Sequence, residues 1–175
     1  MTREEVFTSA FDEYSDALFR HCFFRISNKE RAQELVQDAF MKAWDYVSGG
    51  GEVKQYRPFL YKVLNNLIVD EYRKKKSSSL DALLEQDGVS EGSFDDLHSG
   101  SLAEVEAQVD ARRDAEEFTE ALKELPEKYR TVVTLRYIDG LQPKEIADLL
   151  EETQNVVSVR IHRGVEQLKK KMLYE

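Results

Sequence analysis

Between Ser77 and Asp110 the chain carries nine acidic side chains and no Lys or Arg, and this stretch constrains the fold more than any other feature. With seven serines and three glycines among its 34 residues, and Leu80, Leu83, Leu84, Phe94 and Leu97 only scattered through it, the segment has too little apolar surface for a core of its own. It reads as a linker, extended or only partly ordered when alone. The remainder falls into two modules, 1–76 and 111–175, each small enough that its core must be thin. The chain of 175 residues has a net charge of −9, which at first sight argues against nucleic acid as a partner. Mapped along the chain, the linker alone holds −9, residues 1–76 and 129–175 hold +1 each, and 111–128 hold −2. Charge acts locally, screened over about 8–10 Å at physiological salt, so the two modules are near-neutral surfaces.

Both modules show helical periodicity and no strand pattern, which predicts an all-α protein of two small helical domains joined by an acidic linker. Phe7, Phe11, Tyr14, Leu18 and Cys22 form a stripe on a helix over about 4–26. Ser27 with Glu30 three residues on has the form of a capping box and starts a second helix, with Ala32, Leu35, Val36, Ala39, Phe40, Ala43 and Val47 inward. Gly49, Gly50 and Gly51 end it. Pro58 suits the first turn of a third helix that buries Phe59, Leu60, Val63, Leu64, Leu67, Ile68 and Tyr72 and runs into Arg73, Lys74, Lys75 and Lys76. The single cysteine, Cys22, allows neither an intramolecular disulfide nor a multi-cysteine zinc site, and three scattered histidines make no metal cluster. No cofactor is expected. No apolar run has the length of a membrane span and the N-terminus has no signal-peptide character, so the chain is read as cytoplasmic.

The third helix and the loop before it interleave aromatic rings, amides and cations: Tyr56, Arg57, Tyr61, Lys62, Asn65, Asn66, Arg73 and Lys74. Unpaired bases need these groups, with rings for stacking, amides for base edges and cations for phosphates. The same residues admit a plainer account, in which Tyr61 is core and the cationic end complements the helix dipole.

In the second module, Phe118, Ala121, Leu122 and Leu125 form a short stripe. Pro126 and Glu127 then start a helix carrying Val132, Val133, Leu135 and Tyr137 to a stop at Asp139-Gly140. A short helix with Ile146, Ala147 and Leu150 inward, a polar turn over 151–154, and a longer helix with Val157, Ile161, Val165 and Leu168 inward follow. On the last helix Arg160, His162, Arg163, Lys169, Lys170 and Lys171 point outward. Short helix, tight turn and longer cationic helix have the form of a helix-turn-helix, whose second helix enters the major groove. Ala147 is small where the two helices must cross closely.

These motifs resemble bacterial RNA polymerase sigma factors of the extracytoplasmic-function (ECF) type, which carry only regions 2 and 4 of the larger sigma factors. Arg31-Ala32-Gln33-Glu34-Leu35-Val36-Gln37-Asp38-Ala39-Phe40-Met41-Lys42-Ala43-Trp44 is similar to region 2.2, and Phe59-Leu60-Tyr61-Lys62-Val63-Leu64-Asn65-Asn66-Leu67-Ile68-Val69-Asp70 with Arg73 to regions 2.3 and 2.4. Leu125 through Leu141 is similar to region 4.1, and Glu145-Ile146-Ala147 with Arg160-Ile161-His162-Arg163 to region 4.2. The resemblance implies a non-enzymatic protein that binds core RNA polymerase, directs it to particular promoters and helps to melt them. By that resemblance, Gln37, Asp38 and Trp44 would dock on the β′ clamp helices and region 4 on the β flap, while Leu35 and Phe40 stay in the core. Tyr56, Arg57, Tyr61, Asn65, Asn66 and Arg73, with the loop 49–57, would capture melted −10 bases. Gln154, Asn155, Ser158, Val159, His162 and Arg163 would read the −35 element. Promoter DNA and core polymerase are thus the implied partners, and an anti-sigma factor is common in the family. The linker would thread toward the RNA exit path, where its acids are expected to mimic RNA.

The sequence departs from the family in three places. Glu151 and Glu152 stand where Gly and an apolar residue are usual, which calls for a rebuilt turn and repels phosphate. Ser158 replaces a frequent Lys or Arg, and Val159 a frequent Ser, which exchanges phosphate contact for apolar contact with a thymine methyl. A stand-alone helix-turn-helix regulator is the alternative class; it would want a strongly basic surface and a dimerisation helix, and neither is present in the sequence. An enzyme is disfavoured by the lack of a Gly-rich phosphate loop or a nucleophile set at recognisable spacing.

Overall fold

The computed structural model describes residues 1–77 and 112–173. They belong to two compact units, residues 1–77 to the first and 112–173 to the second. The described residues are helical with no strand, as the periodicity predicts. The acidic stretch beyond Ser77, and with it the expected linker, lies outside the described residues.

The first unit is a bundle of α1 (Arg3–Ile26), α2 (Lys29–Ser48) and α3 (Tyr56–Ser77), each packed on the other two. At the start of α1, the Glu5 backbone N–H donates to Thr2 Oγ1 at 3.2 Å and the Thr2 N–H donates to Glu5 Oε2 at 2.7 Å, a reciprocal cap. The capping box expected at Ser27 does not form, and the cap of α2 falls one residue later. Ser27 ends α1 in the left-handed conformation (φ 59°), its N–H donating to the Phe23 carbonyl, and Asn28 caps α2 by accepting from the Arg31 N–H at 2.9 Å. Two helices that reverse direction within two residues need a left-handed residue to turn the chain, so capping falls to the next position. Along α2 all seven expected residues, Ala32 to Val47, are buried. Along α1 the inward stripe holds at Leu18 and Cys22 but not at Phe11, which is half-exposed. Pro58 lies in the first turn of α3, where its missing N–H has no intrahelical partner to lose.

One ion pair ties the bundle's ends together. Arg31 at the start of α2 donates Nε to Glu71 Oε1 at 2.8 Å and Nη2 to Glu71 Oε2 at 2.6 Å, a two-pronged bond to α3, and Nη1 to Glu34. These bonds hold the Glu71 carboxyl below its ordinary range against the opposing effect of burial.

The second unit contains α4 (Arg112–Glu124), α5 (Glu127–Val133), α6 (Pro143–Leu150) and α7 (Gln154–Leu173), with α7 packed on each of the others. α5 does not run straight to Gly140: it widens into a π-helical turn over Thr134–Ile138, closed by the Asp139 N–H donating to the Thr134 carbonyl at 3.1 Å. Gly140, at φ +71°, then lets the chain fold back, and the Leu141 N–H reaches the Leu135 carbonyl. In α6 the inward residues are Ile146, Ala147 and Leu149. The expected Leu150, the last residue of α6, is half-buried instead.

Candidate nucleic-acid interfaces

The loop between α2 and α3 is built on Tyr46. Its carbonyl accepts from the Gly51 N–H at 2.9 Å, and its half-exposed ring occupies the space a side chain at 51 would need. The Tyr46 ring also meets Phe59 at 5.4 Å, so loop and helix start share one aromatic brace. Gly50 supplies the left-handed step (φ +100°) that bends the loop back. Tyr56 opens α3 half-buried, its ring edge-on to Phe7 at 6.2 Å, and Arg57 beside it is exposed.

Further along α3 the candidate residues part. Lys62, Asn66 and Arg73 are exposed and share one stripe, spaced four and seven residues apart. Tyr61 and Asn65 are only 2 % and 6 % exposed, which corrects the expectation that they face a base. They point into the bundle, where Arg25 Nη1 donates to Asn65 Oδ1 at 2.7 Å and the His21 ring packs edge-on to Tyr61 at 5.4 Å. The reason lies on α1: Arg25, itself 2 % exposed, and His21 put polar groups into the core that need polar partners opposite.

On α2, Gln37 and Asp38 are exposed as expected, and Trp44 is half-buried with its ring 5.1 Å from Phe7. Met41, spaced four residues from Gln37 and three from Asp38, is 65 % exposed, and half-exposed Phe11 packs its ring on Phe40 at 4.7 Å. Sequence reasoning did not single out Met41 as a surface residue. The signal was there, an apolar side chain on the polar arc of an otherwise regular stripe.

In the second unit, α6, the turn and α7 form the helix-turn-helix. At the start of α6 the Gln142 N–H donates to Glu145 Oε2 at 2.7 Å, with Pro143 in the first turn. Glu151 takes the left-handed conformation (φ 56°) at the turn, and the Glu152 N–H donates to the Ala147 carbonyl at 3.0 Å. Thr153 caps α7, its Oγ1 accepting from the Val156 N–H at 3.2 Å. On α7, Gln154 and Asn155 are exposed, while Ser158, His162 and Arg163 are half-buried, Ser158 and His162 sharing one face at a spacing of four and Arg163 about 100° beyond His162. Val159 is 7 % exposed, a correction to the expected thymine-methyl contact, since so little of its isopropyl group reaches the surface. Basic side chains of this helix have acidic neighbours. Arg160 Nη2 lies 3.3 Å from Glu152 Oε1 in the turn, and His162 Nε2 lies 3.4 Å from Glu166 Oε1. Close approach of α7 to α5 depends on Gly164, where a Cβ would sit 2.7 Å from Val133 Cγ2.

Among the described residues no group of histidine, cysteine and carboxylate side chains is arranged to hold a metal ion, and no helix is long and apolar enough to cross a membrane. Residues 10–78 match the family model for sigma-70 region 2, and residues 115–168 that for sigma-70 region 4. The chain is 30 % identical over 174 residues to the ECF RNA polymerase sigma factor SigW of Bacillus subtilis, covering 97 % of this chain and 90 % of that protein. The chain belongs to the ECF RNA polymerase sigma factors. The ECF sigma factor SigL of Mycobacterium tuberculosis is 26 % identical over 91 % of this chain and 84 % of its own length. In fold the chain is similar to the sigma factor RpoE solved with the anti-sigma factor NepR from Bartonella quintana (TM-score 0.71, 23 % identity, 96 % of this chain and 97 % of that one). It is also similar to CnrH solved with the cytosolic domain of CnrY (TM-score 0.66, 20 % identity, 98 % and 90 %). As a member of this family it is a transcription initiation factor that directs promoter-specific transcription, and not an enzyme.

Proposed function

We propose that the two units of this sigma factor read the two promoter elements by different chemistry. The observation that carries this reading is the separation of groups on α3, which turns one stripe of cation and amide (Lys62, Asn66, Arg73) to solvent and carries Tyr56 and Arg57 in its first turn. That surface suits melted −10 bases, which must be held by stacking and edge hydrogen bonds that offset about a few kcal/mol of lost pairing. The α7 face of Gln154, Asn155, Ser158, His162 and Arg163 suits duplex at −35, where an Arg pairs with guanine and an Asn or Gln with adenine. The α2 face of Gln37, Asp38 and Met41, with Trp44 behind it, docks on the β′ clamp helices of core polymerase, and the second unit docks on the β flap. A cytoplasmic location follows from work on the polymerase. The sigma factor RpoE, of similar fold, was solved with the anti-sigma factor NepR, which supports an anti-sigma protein for this chain as well.

Holoenzyme assembled from core polymerase and the full chain tests the assignment. Tyr56→Ala and Arg73→Ala are expected to lower open-complex formation about tenfold each, the size of one lost stack or phosphate-edge contact, while leaving duplex capture at −35 intact. Asn155→Ala and Arg163→Ala are expected to do the reverse. Equal effects of all four on both steps would refute the division of labour.

A further inference from the structure

α3 carries two adjacent asparagines of identical chemistry, and the structure turns one in and the other out. Asn65 accepts from Arg25 inside the bundle, and Asn66, about 100° further round the helix, is exposed in line with Lys62 and Arg73. The apolar residues Leu60, Leu64 and Ile68 fix which broad arc faces the core. Apolar packing of about the right volume sets a fold, but a unique orientation needs closer complementarity or directional bonds. Arg25 provides two such bonds. Its guanidinium donates to Asn65, and its backbone carbonyl accepts from the hydroxyl of Tyr72, seven residues further along α3. Asn65 and Tyr72 lie two turns apart on one face, so attachment to a single residue of α1 fixes both the roll of α3 about its axis and its tilt. His21 completes the setting, its Nε2 3.5 Å from Arg25 Nη1 and its ring against Tyr61. A core that needed stability alone would have little use for this arrangement, because replacing a buried polar set by well-packed apolar groups is often neutral or stabilising.

We propose that Arg25 and Asn65 are positioning residues that set the angular register of α3, so that Asn66 and Arg73 meet the −10 bases. This rests on the reading of α3 as the −10 surface. The test uses holoenzyme made with the full chain, transcribing a library of promoters randomised across the −10 element, with sequenced transcripts giving the base preference at each position. In the R25M/N65L double variant, thermal stability and affinity for core polymerase are expected to stay close to the original, while −10 preference flattens about tenfold. N65D keeps an acceptor for Arg25 and is expected to retain the original profile, whereas N66D alters it. The proposal is overturned if the double variant folds, binds core and reads −10 unchanged, or if N65D alters the profile as much as N66D. Should the double variant fail to fold, the comparison of N65D with N66D still decides. A flat −10 profile from the unmodified chain would remove the reading of α3 itself, and the proposal with it.

Discussion

At the scale of single residues, the most informative positions are those where the chain accepts a cost. Glu151 holds a left-handed conformation that glycine adopts freely, at a cost of about 1 kcal/mol. Glu151→Gly is therefore expected to raise the melting temperature of the second unit by a few degrees, measured by calorimetry on the full chain. Gly164 is the opposite case. Gly164→Ala forces a methyl group against Val133 and Tyr129 and is expected to destabilise the same unit by about 1–3 kcal/mol, although alanine is the better helix former. In the first unit, burial pushes the Cys22 thiol up to about 12, against an ordinary value of 9.0. The folded chain keeps a proton that the unfolded chain releases near 9, so stability falls as pH rises from 9 toward 12. Cys22→Ala is expected to remove that slope from urea melts taken across this range. A slope unchanged by the substitution would show that another group carries it.

At the scale of elements, what was legible in the sequence was what periodicity alone decides. The seven inward residues of α2 were read correctly because every one of them is apolar on a regular stripe. The roles of Ser27 and Asn28 were not legible, since both are good caps and only the reversal between α1 and α2 assigns the left-handed residue to one of them. Asn28→Ala is accordingly expected to cost about 1 kcal/mol in urea melts, and Ser27→Ala much less of capping energy. Tyr61 and Asn65 were misplaced for a related reason. Their chemistry suits a base, and only the burial of His21 and Arg25 on another helix turns them inward. The π-helical turn at Thr134–Ile138 left no sequence signal either, because insertion of a residue into a helical ladder depends on what the two ends must pack against.

At the scale of the whole molecule, the net charge of −9 lies in one segment, and the two modules proposed to meet DNA are near neutral. Binding to DNA by near-neutral surfaces releases few counterions, so the free protein is expected to bind promoter duplex weakly in gel shifts at physiological salt and with a shallow salt dependence. Affinity and specificity then arise together in the holoenzyme, where the polymerase holds both units on one promoter and the second contact becomes intramolecular. The most direct test of this account is transcription from a fully randomised promoter library by core polymerase with and without the chain. The account predicts transcripts that depend on the chain and share two sequence blocks, one at −35 and one at −10. Recovery of the same promoters without the chain, or a shared −35 block with no −10 block, would contradict it.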